Sequence, residues 1–63
     1  MVEVLVVAGR LIVCQKVDDI IDKRRYVVSV GGTFVLVRLH KRKTGVVNDA
    51  NEIVTGPFWW PIY

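Results

Sequence analysis

The sequence predicts an all-β protein: a small hairpin-based sheet curled into an open barrel. Three observations carry that reading. Two valine-rich runs, residues 26–30 (YVVSV) and 33–41 (TFVLVRLHK), flank Gly31-Gly32. A Gly-Gly pair between strand-like runs marks a two-residue hairpin turn. Two further apolar runs, residues 2–8 and 11–17, lie either side of Gly9-Arg10. Only residues 18–25 (DDIIDKRR) have helical character, and eight residues cannot hold a free helix.

Taken in order, the first hairpin is expected to turn at Gly9-Arg10, with glycine at the first central position of a type II′ turn. That register sets Glu3 across from Lys16, Leu5 from Cys14 and Val7 from Ile12. The opposite face then carries Val2, Val4, Val6, Ala8, Leu11, Val13 and Val17. A single long strand with a bulge at Gly9 is the rival arrangement. Residues 18–25 read as one helical turn capped by Asp18 or Asp19, or as a polar loop with Ile20 and Ile21 tucked inward. Asp18, Asp19 and Asp22 lack calcium-loop spacing. Lys23, Arg24 and Arg25 beside them oppose a cation, so no metal is expected.

The Gly31-Gly32 turn places Val30 opposite Thr33, Val28 opposite Val35 and Tyr26 opposite Val37, with Leu39 further along that face. The other face carries Val27, Ser29, Phe34 and Leu36, and sets Arg25 directly across from Arg38. Like charges in that position repel unless they splay apart or hold an anion. Both faces are apolar near the turn, unlike a sheet with one buried side. Val27, Phe34 and Leu36 are therefore expected to meet the N-terminal strands, the C-terminal segment or another subunit. A turn at residues 43–45, short strands at 46–47 and 52–55, and a break at Gly56-Pro57 complete the pattern. Five or six short strands suit a barrel of SH3-like or OB-like size, which would protect sheet edges.

The last seven residues, PFWWPIY, hold both tryptophans. A solvent-exposed tail would be polar. Phe58, Trp59, Trp60, Ile62 and Tyr63 are instead expected to pack, with Phe34 and Leu36, on the body of this single 63-residue domain or on a neighbouring subunit. So short a chain buries only about 60% of its unfolded surface. It is 52% hydrophobic and has one cysteine, Cys14, so no internal disulfide can staple it. Self-association is the expected remedy. No apolar run reaches the ~20 residues of a membrane helix, and no secretory leader stands at the start. A cytoplasmic location is the expectation.

Catalysis has little to draw on. His40 is the only histidine and has cationic neighbours, no nucleophile motif surrounds Ser29, and no phosphate-binding glycine loop is present. Neither an enzyme nor a cofactor is expected. The net charge is only +3, but residues 38–43 (RLHKRK) hold four of the nine basic side chains. Arg38, His40, Lys41, Arg42 and Lys43, with Arg25, form the candidate site for nucleic-acid phosphates. DNA or RNA is the expected partner, with an acidic protein surface as a third option. The alternative function is an assembly subunit or adaptor that oligomerises through its apolar sheet faces and aromatic tail.

Overall fold

The structure, a computed structural model, describes residues 2–62. Tyr63, expected among the packing residues, lies outside them. Among the described residues six strands form: β1 (Val2–Val7), β2 (Arg10–Val17), β3 (Arg24–Val30), β4 (Thr33–Arg42), β5 (Gly45–Val47) and β6 (Phe58–Pro61). They make one sheet in the order β1-β2-β6-β3-β4-β5.

The all-β class holds; the open barrel does not. The strands lie in a six-stranded sheet, and β1 meets β4 at one parallel bridge, Val7 to Phe34, rather than along a closing ladder. The helical turn is corrected too: among the described residues there is no helix. Asp19 and Asp22 bind Lys41 of β4 instead of capping a helical turn. Asp22 Oδ1 accepts from the Lys41 amide at 2.8 Å, and Lys23 takes a positive φ of 70°.

The β3–β4 register is the one that Gly31-Gly32 dictates, from Val30 opposite Thr33 to Arg25 opposite Arg38. Both glycines have positive φ, 57° and 83°, as a type I′ turn requires. The first hairpin turns one residue earlier than expected, at Ala8-Gly9, so Glu3 pairs with Cys14, Leu5 with Ile12 and Val7 with Arg10. The slip is two residues in register. An even slip keeps every side chain on its face, so Val7 and Cys14 are buried while Val2, Val4, Val6, Leu11 and Val13 are exposed.

The aromatic segment is the central strand. β6 pairs antiparallel with β2 (Lys16 to Trp59) and with β3 (Val27 to Trp59), and so joins the two hairpins. The 52–55 run forms no strand; Ile53 makes an isolated bridge to Val47. Side chains alternate across the sheet into two cores. One contains Val7, Cys14, Val27 and Trp59, with Leu5, Ile12 and Phe34 packed against them. The N-terminal hairpin and β6 thus meet Val27 and Phe34, while Leu36 stays at the exposed rim. The other contains Ile20, Tyr26, Val28 and Leu39, joined by Val17, Phe58 and Trp60 among others. The loop before β3 closes this second core: Ile20 is buried, Ile21 is exposed, and the Ile21 amide donates to the Tyr26 hydroxyl at 2.7 Å.

Candidate functional site

β3 and β4 carry Arg25 and Arg38 as directly opposed neighbours, both exposed on the same face. Strand periodicity puts His40 and Arg42 further along that face of β4. Lys41 points the other way, and Lys43 is exposed in the turn to β5. Arg25, Leu36, Arg38, Asn48, Asp49 and Ala50 line an open groove of about 650 Å³.

The far wall of this groove is the 48–52 loop, which is built around one side chain. Asn48 Oδ1 accepts from the amides of Ala50 and Glu52, both at 3.0 Å. Asn51 turns the chain with a φ of 61°, a conformation asparagine tolerates better than most residues. The loop delivers Asp49 to His40, whose Nε2 lies 2.7 Å from Asp49 Oδ1. The bond to His40 holds the Asp49 carboxyl below its ordinary value, and the nearby Arg38 and Arg25 charges add to the effect. The sequence offered no acid partner for His40. The available signal was the β4–β5 pairing of His40 with Val47, which brings residue 49 around the end of the strand. His40 is poorly arranged for proton transfer. Asp49 occupies Nε2, and Nδ1 is buried without a hydrogen-bond partner among the described residues, whereas a general base must reach substrate.

The cations of the 38–43 run therefore divide into two groups. Lys41 is engaged within the fold: its Nζ lies 3.0 Å from Asp19, and its amide donates to Asp22. The Lys41 ammonium lowers the Asp19 pKa, chiefly by hydrogen bonding, and the Lys41 amide does the same for Asp22. Among the described residues, by contrast, no carboxylate lies within ion-pairing distance of Arg25, Arg38, Arg42 or Lys43.

The aromatic residues lie in the sheet, not in this groove. Trp59 is buried, stacks edge-to-face on Phe34 at 5.3 Å, and donates from Nε1 to Glu3 Oε2 at 2.6 Å. Trp60 makes the matching edge contact with Tyr26 on the opposite face, with the Arg24 guanidinium 5.5 Å from its ring centre. Phe58 packs into the second core, and the Ile62 amide donates to the Val13 carbonyl. Cys14 has no solvent exposure; burial, with the Glu3 charge behind it, pushes its thiol pKa up, which suppresses the reactive thiolate. Among the described residues there is no cluster of metal-ligating side chains and no helix long and apolar enough to cross a membrane.

Comparison of this chain with protein-family models, with curated proteins and with solved structures finds no match.

Proposed function

We propose that the chain binds the phosphate backbone of nucleic acid along the β3–β4 face that carries Arg25, Arg38 and Arg42, with Lys43 at its end. The observation behind this reading is the Arg25–Arg38 pair. Two guanidiniums held opposite each other repel, and no carboxylate among the described residues lies within ion-pairing distance of either: Asp49, which shares their groove and feels their charge, is bonded to His40. A phosphate between them would relieve that repulsion, and arginine suits phosphate through its planar fork of donors. Lys41 and His40 take a positioning role in this reading: they tie the end of β4 to Asp19 and Asp49.

Contacts of this kind are salt-dependent and indifferent to sequence. Base stacking has no part in them, because Trp59 is buried and Trp60 is engaged by Tyr26 and Arg24. Fluorescence anisotropy with unrelated single- and double-stranded oligonucleotides, at low and near-physiological salt, tests the reading. Binding without sequence preference is expected. The Arg25→Ala/Arg38→Ala variant should weaken it and flatten the log-affinity against log-salt slope by about 2, one phosphate contact per arginine. An unchanged slope in that variant, or no binding at low salt, overturns the reading, as does binding only to an acidic polypeptide.

A further inference from the structure

The arginine groove runs along a length of β4 edge that no strand covers. At one end of it Val7 of β1 lies beside Phe34, and the chain then turns away at Ala8-Gly9. At the other end Val47 of β5 lies beside His40, and the Asn48 carbonyl then accepts from the Asn51 amide in a turn that leaves the sheet. Between these ends Leu36, Val37 and Arg38 are paired to β3 alone.

Ladder alternation says which backbone groups line that gap. The Gly31-Gly32 turn makes Val30 and Thr33 the closing hydrogen-bonded pair of the hairpin. Odd-numbered residues of β4 therefore turn their N–H and C=O toward β3, and even-numbered ones turn theirs away. The Leu39 carbonyl obeys this, accepting from the Lys23 amide at 2.8 Å, as does the Lys41 amide in donating to Asp22. Leu36 and Arg38 thus direct their N–H and C=O into the groove, where no group among the described residues bonds to them. Val37 points to the same conclusion. Its side chain packs into the core of Tyr26 and Leu39, so it lines the groove through its backbone.

Unpaired edge groups ordinarily take another strand. This gap is too short for one. The Cα atoms of Leu36 and Arg38 are about 7 Å apart, and an added strand would run into β1 at one end or the 48–51 turn at the other. A flat ring with a donor beside an acceptor on one edge suits the gap, because that edge matches the N–H and C=O of a single residue. Every nucleobase has such a Watson–Crick edge. It is free in a single strand and occupied by the partner base in a duplex.

We propose that the β4 edge at Leu36 and Arg38 holds an unpaired nucleobase by its hydrogen-bonding edge, while the arginines hold phosphates of the same strand. The chain then binds single-stranded nucleic acid. This rests on the phosphate reading above and adds the base to it. Because all four bases offer a donor–acceptor edge, the contact tolerates any sequence.

Anisotropy with a labelled single strand, and with the same strand built from tetrahydrofuran abasic sites, tests this at equal salt. The intact strand should bind about tenfold more tightly, as two net hydrogen bonds imply. Its salt slope should match that of the abasic strand, since the phosphates are the same. In amide NMR spectra the Leu36 and Arg38 signals should move with the intact strand and stay in place with the abasic one. Equal affinity for the two strands overturns the base contact and leaves the phosphate contact standing. Tighter binding of the intact strand with both amide signals unmoved overturns it as well. No binding of either strand at low salt removes the phosphate reading and this proposal with it. An acidic peptide that moves both amide signals where the intact strand does not would make the gap a peptide site, which also overturns it.

Discussion

At Ala8 the backbone takes a φ of 51°, followed by 77° at Gly9. The pair makes a type I′ turn whose first central position suits asparagine or glycine far better than alanine. A β-carbon in the left-handed region costs about 1–2 kcal/mol. Ala8→Asn should therefore stabilise the fold by about 1 kcal/mol, which for a chain of this length raises Tm by about 4–8 °C. Calorimetry checks this, and an unchanged or lower Tm would count against the turn. The same residue explains the displaced first hairpin. Gly9 signals a turn in the sequence, but nothing in alanine announces a positive φ. Gly31-Gly32 left no such ambiguity, and there the expected register is the observed one. At the candidate site, the basic side chains were legible as a run. Their division was not, because Asp19 and Asp22 reach Lys41 from about twenty residues away.

Among the elements, β6 was the hardest to see. Prolines on both sides of residues 58–60 mark an extended segment, and the aromatic content says only that it packs. Insertion between two hairpins is a tertiary fact: β2 and β3 each have a free edge, and Phe58, Trp59 and Trp60 feed alternate rings into the two cores. The Trp59 indole also ties β6 to β1 through Glu3, a hydrogen bond with a charged acceptor and therefore among the stronger ones. Trp59→Phe keeps an aromatic ring but leaves Glu3 half-buried without that donor. A loss of about 1.5–3 kcal/mol is expected, read from urea unfolding with the slope unchanged. Glu3→Gln, which preserves an acceptor, should lose less.

The whole molecule is held at its periphery by carboxylates. Asp19 and Asp22 fasten the loop before β3 to Lys41, and Asp49 fastens the 48–52 loop to His40. Each of these acids is pulled below the ordinary value of 3.8 by the hydrogen bond it accepts. A carboxyl whose folded pKa is depressed stabilises the fold fully above its unfolded value and loses that contribution as pH falls through the folded value. Stability should hold level from neutral pH down to about pH 4 and decline below it. Thermal melts across that range test this. The Asp19→Asn/Asp22→Asn/Asp49→Asn variant should show a shallower acid decline, and an equally steep one would place the acid sensitivity elsewhere.

The strand order β1-β2-β6-β3-β4-β5 has a consequence for how the chain comes together. The strand at the middle of the sheet is the last of the six to leave a ribosome. Both hairpins can zip from their own turns within microseconds, yet they have no shared ladder until residues 58–61 arrive. Until then two unfilled edges and two half-formed apolar faces wait in the same nascent chain, a species prone to pair with its neighbours. Contacts between residues far apart in sequence slow folding. The joining of Lys16 and Val27 to Trp59 is therefore the step that governs how long that exposure lasts, and a chain interrupted before Phe58 would never pass it.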